Sequence, residues 1–239
     1  MQRLFGLALA LVALPVHAFP PYRSTDADTA GDGNFELRLG LARVQREDAV
    51  GRRSSPLTRA NYGLGPNVEL VSELEYSADA DELIEGALGL KWARVTDGRG
   101  IGVETLALLP VQDGQSGGGI ESQLLVSFVD ERRQLHVNIG GFYDSRAGET
   151  ERGWRASVLA EFPRDGFEPG VELFIKDVDG EEARIQAGLG FIKPLRFLEL
   201  RTSLHVGLSD AAPDIEANLW LAWRWERDQP AAIRKGRSR

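Results

Sequence analysis

Apolar and polar residues alternate position by position along most of this chain. From Ile215 to Glu226, every odd-numbered residue is apolar and most even-numbered residues are polar. From Leu198 to Leu208, the even-numbered positions carry the apolar set, interrupted only by Thr202. A strand gathers every second side chain on one face, whereas a helix would scatter them around its axis. The pattern therefore predicts β-strands, each with one hydrophobic face.

The same parity, followed backwards, predicts twelve strands. They lie near residues 34–43, 57–64, 67–77, 86–95, 100–110, 120–129, 135–140, 154–162, 171–176, 183–191, 197–208 and 215–226. Most have the length of about 9–11 residues that a tilted strand needs to cross a bilayer. Longer polar loops, as at 43–56 and 77–86, alternate with short turns, as at 65–67. This asymmetry, with both ends of the chain on one side, is typical of an outer-membrane barrel.

The first residues have the features of a secretory signal. A basic start at Met1–Arg3 precedes the apolar run Leu4–Val16, and a small-residue cleavage site ends at Ala18. The run is too short to span a bilayer as a helix, although an N-terminal anchor helix is the alternative. We expect a signal peptide at 1–18, an irregular mature N-terminus at 19–33, a barrel at 34–227 and a basic tail at 228–239. The irregular segment is a candidate for a short plug in the periplasmic mouth.

The two faces of the predicted strands differ in kind. One is aliphatic or aromatic at nearly every position, and the other carries a charge on almost every strand. A membrane barrel turns its apolar face to lipid and lines a lumen with the other, whereas a soluble sandwich buries its apolar face. Interfacial aromatic residues favour the membrane barrel, and those near strand ends are Tyr76, Trp92, Tyr143, Trp154, Trp223 and Trp225. We predict an all-β, transmembrane, antiparallel up-and-down barrel of about twelve strands; an exported soluble sandwich or lipocalin-like barrel is the alternative.

Composition narrows the functional classes. The chain has 239 residues, 28 Lys and Arg against 36 Asp and Glu, a formal net charge of −8 and no cysteine. The lack of cysteine excludes disulfides, thiolate metal sites and a cysteine nucleophile, and net acidity argues against nucleic acid as a partner. The mean hydropathy of −0.24 resembles that of a soluble protein, but it averages over faces that alternate residue by residue.

The polar face supplies the candidate functional residues. The residues expected to line the lumen and set its selectivity are Glu69, Glu73, Glu75, Lys91, Glu104, Arg155, Arg184, Glu199, Arg201, His205, Glu216 and Arg224. One interpretation is structural, with ion pairs that fix the strand register and fill a narrow bore. The other is a selective channel. In it, an acidic wall of Glu69, Glu73 and Glu75 would face a basic wall, at a similar depth, of Arg184, Arg201 and Arg224.

Enzymatic and metal sites are weakly indicated. Ser203 and His205 share a strand face, about 7 Å apart at Cα, so a hydroxyl–imidazole contact is conceivable, but the sequence places no third group beside them. The alternative role for His205 and His136 is a hydrogen-bond network in the lumen. Two isolated histidines do not make a metal site, and the acidic loop Asp177–Glu181 lacks calcium-loop spacing. We expect neither a cofactor nor enzymatic activity.

Several short motifs resemble a known family. They are Arg23–Thr29 followed by Gly33–Leu37, then Asn61–Leu64 leading into Val68–Leu70, Gly89–Trp92 and Leu108–Pro110. In these motifs the chain is similar to the putative outer-membrane transporters named for the MetA pathway of phenol degradation. The resemblance implies a β-barrel channel for uptake of small, often hydrophobic or aromatic compounds, and it implies no catalytic residues.

The sequence thus predicts a porin-like outer-membrane channel for passive uptake of small solutes, including hydrophobic or aromatic ones. The expected partners are outer-membrane lipid, the barrel assembly machinery and a small-molecule solute, with no nucleic acid. A structural or partner-binding barrel with a closed lumen is the first alternative. A lipid-modifying barrel enzyme that uses His205 or His136 is the second.

Overall fold

Twelve antiparallel strands close into one barrel. The computed structural model describes residues 21–45 and 52–227, apart from the side chains of 52–54. The strands are β1 (Phe35–Gln45), β2 (Arg52–Gly65), β3 (Val68–Ser77), β4 (Glu82–Thr96), β5 (Arg99–Leu108), β6 (Gly119–Val129), β7 (Gln134–Asp144), β8 (Glu151–Glu161), β9 (Glu168–Val178), β10 (Arg184–Pro194), β11 (Glu199–Gly207) and β12 (Ile215–Trp225). Each strand pairs with its neighbours in sequence, and β1 pairs with β12 to close the sheet. The predicted barrel is confirmed; the predicted signal peptide and C-terminal tail lie outside the described residues.

Two of the predicted loops are too long. The loop expected at 43–56 contains the end of β1 and the start of β2, where Arg43 pairs with Ser54. The loop expected at 77–86 is reduced to 78–81, because β4 begins at Glu82. Ladder hydrogen bonds join backbone groups and need no apolar side chains, so the strands continue beyond the hydrophobic part of the sequence.

The connections distinguish the two ends of the barrel. The chain enters β1 and leaves β12 at the same end, which we call the terminus end, and the opposite end is the loop end. Connections have two to six residues at the terminus end and four to ten at the loop end. The tightest include Asp97–Gly98, whose φ values of 50° and 73° suit a two-residue hairpin turn.

Burial follows the predicted parity of the strands. Outward side chains such as Ile139 and Leu189 are 56% and 62% exposed, whereas the inward Arg38, Arg59 and Lys91 are each 1% exposed. Apolar side chains therefore cover the outside of the barrel and polar ones fill the inside, which is the reverse of a soluble protein. Among the residues described, no helix has the length and apolar character to cross a membrane.

Gly40 provides room for Trp220 inside the barrel. A Cβ added at Gly40 would lie 2.3 Å from Cδ2 of that indole. We expect Gly40→Ala to lower the free energy of unfolding by about 1–3 kcal/mol, the usual cost of overpacking. Urea unfolding in liposomes measures this change. Gly65→Ala is the matched control, because nothing lies within 4 Å of its added Cβ; equal effects of the two substitutions would contradict the prediction.

Candidate functional site: the occluded lumen

Residues 21–33, which we call the N-terminal segment, lie inside the barrel. At the terminus end, the Ala30 amide donates to Glu69 Oε2 at 2.6 Å. Further in, the Pro21 carbonyl accepts from Ser203 Oγ at 2.6 Å, halfway along β11. The segment therefore extends beyond the mouth, where the sequence placed the plug, to the middle of the lumen.

Hydrogen bonds from the wall hold the backbone of the N-terminal segment. Glu172 accepts from the amides of Arg23 at 2.9 Å and Ser24 at 2.6 Å, and also from the Ser24 hydroxyl. Asn138 accepts from the Thr25 amide at 2.8 Å and donates to the Thr25 carbonyl at 2.9 Å. These bonds pair backbone groups that would otherwise be buried without partners. The segment is thus fitted to a polar wall.

The wall also approaches the N-terminal segment closely at two glycines. A Cβ added at Gly63 would lie 1.7 Å from the Gly31 carbonyl oxygen, and one at Gly170 would lie 2.5 Å from the Tyr22 hydroxyl. Side chains at these two positions would exclude the segment from its path.

Ion pairs bridge the strands in the terminus half of the lumen. Lys91 Nζ lies 2.9 Å from Asp26 of the N-terminal segment and 3.7 Å from Glu69. Across the lumen, the Glu36 carboxylate forms ion pairs with three guanidinium groups. They belong to Arg38 at 2.6 Å, Arg201 at 3.6 Å and Arg224 at 3.3 Å. Arg201 also binds Glu199. These pairs compensate charges that burial would otherwise make costly.

Arg59 is the centre of the middle layer. Its guanidinium binds Glu104 at 2.6 Å and also pairs with Glu73. Gln123 donates to the other oxygen of Glu104 at 3.0 Å. Both Arg59 and Glu104 are 1% exposed, so this pair is fully buried, and Glu73 is partly buried beside it.

The loop end is closed in part by Arg146, from the connection between β7 and β8. Its guanidinium lies 2.8 Å from Glu85 and 2.7 Å from Asp144, and it donates to the Leu109 carbonyl. Burial lowers the pKa of Arg146, but the hydrogen bonds and charges of Asp144 and Glu85 outweigh burial and raise it above its ordinary value. The side chain therefore stays charged and holds the connection inside the barrel mouth.

The structure places the candidate lumen residues in several separate networks. Most are buried, but Arg224 is 54% exposed and Glu199 is 41% exposed at the terminus end. Arg184 begins β10 at the loop end, where it binds Glu181, whereas Arg201 and Arg224 lie at the terminus end. The basic wall predicted from these three arginines at one depth is therefore wrong. The reason is geometric: neighbouring strands run in opposite directions, so position within a strand does not give depth directly.

Both histidines outside the predicted signal support contacts to the N-terminal segment. His205 Nε2 lies 2.8 Å from Glu172, and its Nδ1 lies 3.5 Å from Ser203 Oγ. His136 similarly joins Ser127 at 2.8 Å, and Ser127 Oγ accepts from the Ala27 amide. The Ser203 hydroxyl donates to the Pro21 carbonyl, and the whole set lies buried in the lumen.

Several wall contacts of the N-terminal segment were missed by sequence reasoning. Arg23, Ser24, Thr25 and Asp26 were considered as part of a family motif and of the candidate plug, and Glu172 was expected to point inwards, but no contact between them was predicted. The available signal was a run of small and polar residues without strand alternation. In the described part of the chain, no group of three or more His, Asp or Glu side chains is arranged to hold a metal ion.

A small cavity of about 20 Å³, enough for about one water molecule, lies beside the middle layer. Leu57, Ala87 and Trp220 contribute its apolar lining, and acidic side chains are contributed by Glu73, Glu75 and Glu85. The remaining space in this part of the lumen is thus amphipathic.

Comparison with known proteins identifies the fold. No family model and no curated protein matches the chain. The outer membrane channel COG4313 from Pseudomonas putida F1 superposes with a TM-score of 0.64 at 11% identity, over 84% of this chain and 98% of that one. The KdgM porin and the NanC porin each give a TM-score of 0.57 at 8% identity, over 81% of this chain and 99% and 100% of theirs.

The chain folds as an outer-membrane barrel. In an outer-membrane barrel the short turns and the termini face the periplasm, and the longer loops face outwards. By this rule we expect the terminus end to face the periplasm.

Proposed function

We propose that this protein is an outer-membrane channel for passive passage of small solutes, and that the N-terminal segment closes it. The observation that carries the proposal is that the lumen is obstructed by the N-terminal segment rather than by side chains of the wall alone. A separate, polar length of chain crosses the lumen, held by wall side chains such as Glu172 and Asn138.

The size of the barrel supports this interpretation. Eight strands enclose an interior that side chains can just fill, and the diameter grows with strand number. Twelve strands therefore leave a gap that the wall alone does not close. The segment occupies this gap with hydrogen bonds, each worth about 0.5–1.5 kcal/mol net because water can replace them. Its withdrawal would leave a polar, hydrated bore.

The lining suggests which solutes the channel would accept. Next to the acidic side chains of the cavity lie Leu57, Ala87 and Trp220. Such a surface suits small molecules that have an apolar or aromatic part, and it supports the substrate class implied by the family resemblance. Outer-membrane lipid around the apolar face and the barrel assembly machinery are the proposed partners.

Deletion of residues 22–30 tests the channel proposal. Because the deletion removes the obstruction, we expect single-channel conductance in planar bilayers to rise several-fold over that of the full chain. Asp28→Asn is the matched control, because Asp28 is exposed and, among the residues that the structure describes, its carboxylate bonds only to the adjacent Thr29 amide. A folded deletion variant that passes no current would reject the channel in favour of a sealed barrel.

The sealed barrel is the second candidate, and the extent of burial favours it. Inward charges such as Arg59, Glu104 and Glu216 are each 1% exposed, as expected for a lumen that serves only to hold the wall together. On this alternative, deleting the N-terminal segment would destabilise the barrel without opening it.

A further inference from the structure

Three cations lie side by side on the inner wall near the loop end. Arg155 on β8 pairs directly with Lys176 on β9, and Lys176 pairs directly with Arg184 on β10. We call these three residues the basic row. Like charges directly opposite one another on neighbouring strands are destabilising, so the row has a cost that the fold alone does not explain.

Only part of the charge of the basic row is compensated within the protein. Arg155 pairs with Glu121, and Arg184 lies 2.8 Å from Glu181. Lys176 makes no ion pair with any residue of the described ranges, although it is 8% exposed; its ammonium lies 4.4 Å from the centre of the Phe142 ring. Lys176 is thus the cation of the row without a direct ion pair, and the nearby carboxylates that act on its charge are those of Glu121 and Glu151.

Unpartnered hydrogen-bond donors lie directly below the basic row. Phe174 and Gln186 are cross-strand partners on the inner face, one step deeper than Lys176 and Arg184. The guanidinium of Arg23 lies 5.3 Å from the Phe174 ring. Within the described structure, Arg23 Nε and Nη1 and Gln186 Nε2 have no hydrogen-bond partner, and both side chains are at least 95% buried. The third guanidinium nitrogen of Arg23, Nη2, pairs with Glu216. Buried donors are nearly always paired, so the three remaining donors, beside a cation without a direct ion pair, indicate an anionic ligand.

The opposite wall holds acidic side chains that are paired with cations. In the ring of twelve strands, β9 is six places from β3. Glu73 and Glu75 on β3, together with Glu85 on β4, line the amphipathic cavity there. Glu73 is paired with Arg59 and Glu85 with Arg146, so this wall is largely neutral and the attraction for an anion comes from the basic row itself.

We propose that Lys176, Arg23 and Gln186 form a binding site for the carboxylate of a small organic acid. The proposal rests on the proposed function, because the lumen is the route by which the acid would reach the site. Lys176 supplies the compensating charge, and Arg23 and Gln186 supply hydrogen bonds. The rings of Phe142 and Phe174 supply an apolar surface for the remainder of the molecule. Since Arg23 belongs to the N-terminal segment, the bound acid would contact both the wall and the segment that closes it.

Equilibrium binding to the purified full chain tests the site. Calorimetric titration with butyrate is expected to show saturable binding, and butyramide, the uncharged molecule of the same shape, is expected to show none. Lys176→Met is expected to weaken butyrate binding at least about tenfold, as for loss of a charge-assisted hydrogen bond. Lys193→Met is the matched control, because Lys193 is exposed on the outward face of β10. Gln186→Leu, which alters no charge, is expected to weaken binding less.

The outcomes separate this proposal from the channel proposal. Equal binding of butyrate to the parent chain and to folded Lys176→Met would overturn the site, as would no butyrate binding or equal binding of butyramide. If Lys176→Met does not fold, unchanged binding by Gln186→Leu would overturn it. Since calorimetry needs no ion flow, a barrel that binds butyrate but never conducts would refute the channel while supporting the site.

Discussion

The double variant Ala27→Cys/Gly100→Cys is expected to pass current in planar bilayers only after reduction. A Cβ added at Gly100 would lie 2.9 Å from Cβ of Ala27, and a small adjustment brings the two to the roughly 3.8 Å of a disulfide. The cross-link would tie the N-terminal segment to β5 and keep the lumen closed. The chain has no cysteine of its own, so no other disulfide can form within one molecule.

The double variant is its own control, because its conductance is measured before and after reduction. Before and after addition of dithiothreitol, the same bilayer reports the closed and the released states. Ala27→Cys alone should conduct equally under both conditions. If oxidised and reduced double variant conduct equally, solutes do not pass along the path that the segment occupies, and the proposed gate is wrong.

The second large effect is expected at Arg59. Arg59→Met leaves Glu73 and Glu104 in the middle layer without their shared cation. Removal of one partner from a buried ion pair typically costs about 3–5 kcal/mol. We therefore expect a loss of that size in the free energy of unfolding, measured by urea titration of the barrel in liposomes.

An exposed pair is the matched control for Arg59. The Arg152 and Asp179 side chains form a 2.7 Å ion pair at the loop end, 70% and 57% exposed. Because water screens such pairs, Arg152→Met should change the free energy of unfolding by about 1 kcal/mol or less. Partial recovery of stability in Arg59→Met/Glu104→Gln would assign the loss to uncompensated charge. A loss at Arg59 no larger than that at Arg152 would show that the middle layer is hydrated rather than dry.

Which side chains of each strand point outwards was predictable, because this depends only on the order of neighbouring residues in the sequence. Residues two apart point to the same side of any strand, so the alternation ending at Trp225 separates lipid-facing from inward residues without knowledge of the partners. The inward direction of Arg59 and Glu104 followed from this parity alone. The ends of the strands were less predictable, because backbone pairing continued through polar residues such as Arg43.

Which side chains would contact each other inside the barrel was not predictable in the same way. Glu172 meets Ser24 across 148 positions of sequence, and Lys91 meets Asp26 across 65. Pairings of this kind depend on strand tilt, on register around a closed sheet and on the course of the N-terminal segment. None of these quantities is a property of one strand, and the predicted wall of Arg184, Arg201 and Arg224 was wrong for that reason.

By itself, the sequence determined that this chain is built of strands with one apolar and one charged face, enough of them to close a barrel. The alternation of apolar and polar side chains depends only on the order of residues along the chain. It is therefore the same whichever strands pair with one another. The tertiary structure alone decided that the lumen is occluded by residues 21–33 and that the three residues of the basic row lie side by side on its wall. These features arise only when the sheet closes, because closure brings distant strands and the N-terminal segment into one confined polar space.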